Sequence, residues 1–150
     1  MKALSRAAVA LLFAAAAQAA AAKDSPQLAR GKYLMESVVA CGNCHTPRDE
    51  KGRLIAGRTL AGGMVFDEPP FKAYASNLTP DRDTGIGGWT EKVFVESMRT
   101  GRHRGTERPI LPPMPWRNVA RLTDDDLRSL HRYLASIPPI VNRVPDAVPA

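Results

Sequence analysis

Five consecutive residues limit what this chain can fold into more than any others: Cys41-Gly42-Asn43-Cys44-His45. Two thiols three positions apart, with a histidine directly after the second, form the attachment motif of a c-type haem. Each thiol adds to one vinyl group of the porphyrin, and the short spacing lets both reach vinyls on neighbouring pyrrole rings. His45 then lies beneath the ring, where its imidazole binds the iron. The motif therefore predicts one haem c, attached through thioethers at Cys41 and Cys44.

Other uses of a cysteine pair fit this sequence less well. A redox-active dithiol with the same spacing belongs to a thioredoxin-like βαβ pattern, whereas the flanks of this motif have helical patterns. A zinc site needs more ligands than two cysteines and three histidines readily supply. Haem attachment is the favoured interpretation, and a thiol–disulfide redox protein is the alternative from a different class.

The first 22 residues have the layout of a secretory signal peptide. Lys2 and Arg6 give a positive start, an apolar run extends from Ala7 to Ala17, and small residues at 17–22 offer cleavage sites. The alanine-rich run falls short of the ~20 strongly apolar residues that span a membrane. We expect cleavage, export to the periplasm, and a single domain over residues 23–150. This mature domain should have no transmembrane span and be soluble or peripherally associated with the membrane.

The charge balance excludes one broad class of partner. The formal net charge is +6 over 150 residues, and two of the 21 basic residues, Lys2 and Arg6, lie in the predicted signal peptide. A net positive charge this small can steer a protein toward an acidic partner, but it is far below the charge that is typical of nucleic-acid-binding proteins. No nucleic-acid partner is expected.

A first helix is predicted from Ser25-Pro26, a hydroxyl cap followed by proline at the first helical position. Apolar residues recur near helical spacing up to Val39, so the helix should run into Cys41 and place the thiols at its C-terminal end. Gly31 inside this helix costs about 1 kcal/mol relative to alanine. Either another helix approaches closely there, or Gly31 is a tolerated surface glycine.

Two further helices are predicted later in the chain. Thr90 caps the second, which Gly101 ends. Thr123 caps the third, three aspartates occupy its first turn, and Pro138-Pro139 ends it. The apolar stripe of this last helix consists of Leu127, Leu130, Leu134 and Ile137, flanked by Tyr133. The proline-containing tail up to residue 150 is expected to be an irregular strap on the surface.

Residues 46–89 contain frequent glycines and prolines, and little regular structure is expected there beyond a tight turn at Lys51-Gly52 with a possible short hairpin. A structureless stretch of this length is unusual in a compact domain. Such a stretch is expected where the chain wraps around a porphyrin, because the cofactor then supplies the apolar core that the loops lack. The predicted fold class is all-α, with three to four helices and long loops around a covalent haem.

Met114 is the predicted second axial ligand of the iron. It lies in the proline-rich segment 109–116, where the prolines remove backbone donors and no helix can form. Such a segment holds a thioether at a fixed distance with little loss of entropy, and His/Met pairs are common ligands of haem iron. The alternative is that Met114 fills a gap in the core, as methionines usually do.

Other side chains compete for the same position. His103 lies among arginines and is interpreted as a solvated loop residue, and His131 borders the apolar stripe of the last helix. Met35 and Met98 fall on predicted helix faces and are expected in the core. Met64 lies in a loop and is the alternative ligand to test first.

The haem motif, the helix order and the late Pro-Met segment together resemble a class I mono-haem cytochrome c. More narrowly, the chain is similar to the cytochrome subunits of membrane-bound bacterial alcohol and gluconate dehydrogenases. The similar segments are Leu60-Ala61-Gly62-Gly63, Asn77-Leu78-Thr79-Pro80-Asp81, Thr84-Gly85-Ile86-Gly87-Gly88-Trp89-Thr90 and Pro113-Met114-Pro115-Trp116. Those subunits carry several haem domains, whereas this chain has a single attachment motif and resembles one such domain standing alone.

The resemblance implies a small cytochrome c fold in which the first and last helices cross, with Gly31 beside Leu130 and Tyr133. It implies the same cofactor residues as the motifs do: two thioether cysteines, a histidine and a methionine ligand. It also associates the haem propionates with the region of Asn77 and Trp89.

Iron ligated by both His45 and Met114 has no open position for substrate, so transfer of single electrons is expected rather than catalysis. The protein would carry electrons between a dehydrogenase and a respiratory acceptor, with a dehydrogenase, a terminal oxidase or another cytochrome as partner. A haem enzyme or gas sensor with an open or labile axial site is the alternative. Several basic residues near the methionine could steer docking, or form a solvated loop: Arg102, Arg104, Arg108, Arg117 and Arg121.

Overall fold

The computed structural model describes residues 25–69, 71–103 and 108–149, so the predicted signal peptide over residues 1–22 lies outside the described residues. The described chain contains five helices and a small sheet. The helices are α1 (Pro26–Tyr33, continued by a π-helical turn at Leu34–Val38), α2 (Gly42–His45), α3 (Glu91–Thr100), α4 (Trp116–Val119) and α5 (Asp124–Ser136). The strands are β1 (Val65–Glu68), β2 (Phe71–Tyr74) and β3 (Val148–Pro149), in the order β1-β2-β3.

The helix starts follow the predicted caps. Ser25, Thr90 and Thr123 each accept a backbone N–H from the residue three positions later, at 3.2, 3.3 and 3.1 Å. Gly101 ends α3 in the left-handed conformation, with φ 67°. These signals depend on residues that are close together in the sequence, which is why the sequence predicts them.

The apolar stripe of α5 lies at the centre of the core. Leu127, Leu130 and Leu134 are at most 1% exposed, and they belong to one cluster with residues of the first helix and of α3. The buried members from those two elements are Leu34, Met35, Phe94 and Met98. The three long helical segments therefore enclose a common apolar interior.

α1 and α5 cross in close contact at Gly31. A Cβ atom on Gly31 would lie 2.0 Å from the backbone oxygen of Ser129 and 3.0 Å from the Cβ of Tyr133, so no side chain fits. The crossing that the family resemblance implies is present, and the surface-glycine alternative is excluded. Nearby, the Tyr133 hydroxyl donates to Glu36 at 2.6 Å, and burial together with this carboxylate raises the pKa of Tyr133 to about 12.

The first helix ends earlier than predicted. Its last turn widens into the π-helical segment, and Ala40 then takes a left-handed conformation with φ 51°. The Cys41 N–H donates to the Met35 carbonyl at 3.2 Å, which closes a reversal of the chain. Cys41 therefore precedes α2 instead of ending α1. Helix ends of this kind usually carry glycine or asparagine, and an alanine gives no such signal.

The all-α expectation is incomplete, because an antiparallel sheet is present. Val65 of β1 lies opposite Tyr74 of β2, and Phe71 of β2 lies opposite Pro149 in the tail. Only Ala73 is buried in β1 and β2, so these strands lack the alternation that predicts a strand. The expected turn at Lys51-Gly52 is present within an isolated bridge between residues 48 and 54.

Candidate haem-binding site

A mostly apolar cavity of about 310 Å³ lies inside the described part of the chain. Its lining includes Cys41, Cys44, His45 and Met114, the four residues that the sequence assigns to the cofactor. Ligand pockets commonly measure ~300–1,000 Å³. The fold thus brings together side chains that are up to 73 positions apart in the sequence, although their roles as ligands stay predictions.

His45 is held in one orientation and one tautomer. Its side chain is buried, and Nδ1 lies 2.7 Å from the carbonyl oxygen of Ser76. Because a carbonyl can only accept, Nδ1 carries the proton and Nε2 keeps the lone pair that a metal needs. Burial lowers the pKa of His45, which favours the neutral imidazole. The Gly62 N–H also donates to the His45 carbonyl at 2.7 Å, so the backbone is fixed as well.

The two cysteines are unpaired and half-buried. One helical turn separates them, and the His45 N–H donates to the Cys41 carbonyl at 2.9 Å within that turn. Residues three apart in a helical turn lie on the same side, so both thiols belong to the same wall of the cavity. Burial raises the pKa of the Cys41 thiol to about 11. Two thiols, an imidazole with a free nitrogen and a thioether around an apolar space fit a covalently attached haem.

Met114 is half-buried and packs against the apolar core. Its neighbours Pro113 and Pro115 line the same cavity. Met35 and Met98 lie in the core, as predicted, and also border the cavity. Met64, the first alternative ligand, is not among the described residues that line it. Its position at the cavity therefore favours Met114 over Met64 as the second ligand of the iron.

The two other histidines differ from each other in their surroundings. The interpretation of His103 as a solvated residue is wrong, because His103 is half-buried and lines the cavity. The neighbouring Arg102 forms an isolated bridge with Pro109, and burial followed by the charge of Arg108 lowers the pKa of His103. His131 lies beside the apolar stripe of α5, as predicted, and is half-buried: its Nε2 lies 3.2 Å from the Trp89 carbonyl, and its ring lies 5.6 Å from that of Phe94.

No family model matches the chain. It is 34% identical to a nicotinate dehydrogenase subunit of Pseudomonas putida, over 81% of this chain and 10% of that protein. It is 36% identical to the fructose dehydrogenase cytochrome subunit of Gluconobacter japonicus, over 76% of this chain and 22% of that protein. It is 32% identical to the cytochrome c subunit of a quinone alcohol dehydrogenase of Gluconobacter oxydans, over 90% of this chain and 27% of that protein.

The chain is homologous to the cytochrome subunits of bacterial dehydrogenases. The resemblance drawn from the sequence motifs is thereby confirmed. This cytochrome homologue spans only between 10% and 27% of the length of the three relatives named above. In the part of the cytochrome homologue that the structure describes, no helix has the length and hydropathy that crossing a membrane requires.

Asn77 of the cytochrome homologue makes contacts that the family resemblance does not imply. Its Nδ2 donates to the Ile140 carbonyl at 2.8 Å and to Thr84 Oγ1 at 3.2 Å. Its Oδ1 accepts the Thr79 N–H at 2.9 Å. The amide of Asn77 is therefore engaged within the protein, where it ties the tail to the loop that follows β2. Asn77 and Trp89, the two residues associated with the propionates, both line the cavity.

The tail is irregular up to residue 147, but its end forms β3, and part of the tail lines the cavity instead of lying wholly on the surface as expected. Asn142 donates from Nδ2 to the Ala61 carbonyl at 2.8 Å and from its backbone N–H to Thr84 Oγ1 at 2.9 Å. Four tail residues then line the cavity: Val144, Pro145, Asp146 and Ala147. Sequence reasoning missed this wall because the tail has neither helical nor strand periodicity.

Replacing Asn142 with Ala should destabilise the cytochrome homologue by about 1–3 kcal/mol, because the Ala61 carbonyl loses its donor. Ala61 is fully buried and precedes Gly62, which bonds the His45 backbone. Urea unfolding of the haem-loaded protein measures the change, with Asn118→Ala on the exposed surface of α4 as control. Equal stability of the two variants would contradict a structural role for the tail.

Proposed function

We propose that this chain is a c-type cytochrome that transfers single electrons through one covalently attached haem. Cys41 and Cys44 would carry the thioether bonds, while His45 Nε2 and the Met114 thioether would bind the iron. The observation that carries the proposal is that these four side chains line one cavity, where the Ser76 carbonyl leaves Nε2 of His45 with its lone pair. Homology to dehydrogenase cytochrome subunits supports it independently.

The bound haem would supply a one-electron change between ferric and ferrous iron. The chain's own residues would set the potential of that change. Apolar side chains around the cavity, such as Phe94, Leu130 and Leu134, disfavour the additional charge of the oxidised state. A methionine ligand favours the reduced state, so both effects raise the potential. With both His45 and Met114 bound to the iron, no coordination position would remain for a substrate, which argues against an enzyme.

The proposed setting is the periplasm, after removal of residues 1–22. There the protein would carry electrons between a dehydrogenase and a respiratory acceptor, which could be a terminal oxidase or another cytochrome. Four exposed arginines near the methionine in sequence fit an acidic docking partner: Arg102, Arg108, Arg117 and Arg121. Arg104, the fifth member of the predicted cluster, lies outside the described residues.

The proposal is tested by producing the full chain in cells that attach haem to exported proteins. We expect a mass increase of one haem per chain, and haem that stays on the chain after denaturation. His45→Ala should yield little or no stable holoprotein, because the buried imidazole is both ligand and anchor. Haem that dissociates from the denatured wild-type chain would refute covalent attachment, and a normally folded apoprotein would refute the idea that haem supplies the core.

A haem enzyme or gas sensor with a labile axial site is the second candidate. One observation favours it: His103 lines the same cavity as Met114 and could compete for the iron. The reduced wild-type protein distinguishes the two, because a closed six-coordinate site should bind carbon monoxide slowly and a labile one rapidly.

A further inference from the structure

Gly101, at the end of α3, contacts both ends of the segment that carries Met114. On the upstream side, the Ile110 N–H donates to the Gly101 carbonyl at 2.7 Å. On the downstream side, the Trp116 ring lies against the α-carbon of Gly101. A Cβ atom there would be 2.4 Å from Trp116 Cε2 and 2.5 Å from Cζ2. Met114 lies between these two attachments, which converge on a single residue.

Gly101, to which both ends of the Met114 segment are attached, is itself held in place. Gly101 is buried, and its N–H donates to the Ser97 carbonyl at 2.9 Å as the last bond of α3. The Trp116 ring is covered on another side by the Arg117 guanidinium, 4.8 Å from the ring centre. A segment held at both ends loses little further entropy when its thioether is positioned, which lowers the cost of binding.

We propose that Gly101 is a positioning residue for the Met114 thioether, acting through Ile110 and Trp116. The inference rests on the proposed function, in which this thioether binds the iron. Neither Gly101 nor Trp116 is among the described residues that line the cavity, so their effect on the iron is indirect. The attachment residues Cys41, Cys44 and His45 lie on a different element, and a change at Gly101 should leave them in place.

Gly101→Ala in the haem-loaded full chain tests the proposal. The added methyl group forces the Trp116 ring away and shifts the downstream end of the methionine segment. Gly57→Ala is the matched control, because Gly57 has a similar φ of 71° but nothing within 4 Å of the added carbon. The control carries the same kind of backbone strain without the clash.

Both variants should retain one covalent haem per chain. Gly101→Ala alone should bind carbon monoxide about tenfold faster in the reduced state, because the rate follows the population with a vacant axial site. It should also have a weaker charge-transfer absorption of the sulfur–ferric iron bond and a lower potential. Gly57→Ala should match the wild type in all three measurements.

Wild-type behaviour of Gly101→Ala would overturn the proposal, and so would equal changes in both variants, since strain alone would then be responsible. If Gly101→Ala gives no holoprotein, Trp116→Leu keeps the glycine and removes the ring contact. Unchanged ligand binding in that variant would also refute the proposal. A wild-type protein that lacks the sulfur band and binds carbon monoxide rapidly would instead refute methionine ligation, and with it the proposed function.

Discussion

Replacement of Met114 by Ala should give a holoprotein whose reduced form binds carbon monoxide rapidly and whose reduction potential is lower than that of the wild type. Under the proposed ligation by Met114, alanine would leave the iron without its second protein ligand and remove the thioether that favours reduced iron. The expected drop is on the order of 0.1 V, a fraction of the ~0.8 V over which axial ligands set haem potentials. Spectroelectrochemical titration and carbon monoxide mixing measure the two effects.

The structure supplies a control for this experiment. Met64 is a half-buried loop methionine that is not among the described residues lining the cavity, so Met64→Ala should retain the wild-type spectrum and potential. An unchanged spectrum in the Met114 variant would contradict ligation by Met114. The ligand would then be sought at His103, which lines the cavity.

The second large effect is a loss of folding stability, which we expect in the variant Gly31→Ala. Its new Cβ would lie 2.0 Å from a backbone oxygen of α5, and backbone cannot rotate away as a side chain can. The helices must separate, at a cost of about 1–3 kcal/mol or more. This outweighs the gain of about 1 kcal/mol that alanine offers over glycine within a helix. Denaturant unfolding of the holoprotein measures the net loss.

Ala29→Ser is a suitable control, because it adds one heavy atom on the exposed side of the same helix. Its stability should stay within about 0.5 kcal/mol of the wild type. A Gly31→Ala protein as stable as this control would show that the crossing of α1 and α5 adapts without loss. The close approach of α1 and α5 would then not be the reason that position 31 is a glycine.

The parts of the fold that the sequence predicts are those with local causes. Thr123 and the leucines of α5 mark a helix because a cap and a 3.6-residue period act within a few turns of chain. Cys41 to His45 predict a cofactor because the chemistry needs that spacing. The prolines around Met114 and the need for a second ligand predict its placement in the same cavity, and ligation of the iron by Met114 stays a prediction.

The features that were missed depend on distant parts of the chain. Asn142 and Ala61 are 81 positions apart, and no periodicity or spacing rule connects them. His103 is half-buried beside the bridge between residues 102 and 109, which the arginines around it do not predict. The left-handed Ala40 lacks the glycine that usually marks such a turn. In each case, tertiary contacts decide the conformation.

The tail that walls the cavity also bears on the order of assembly. Residues 144–147 are synthesised long after Cys41 to His45, yet they close one side of the space that those residues border. Until the tail docks on Ala61 and Thr84, that side stays open. Under the proposed haem attachment, we therefore expect the thiols to react before the tail docks and closes this wall.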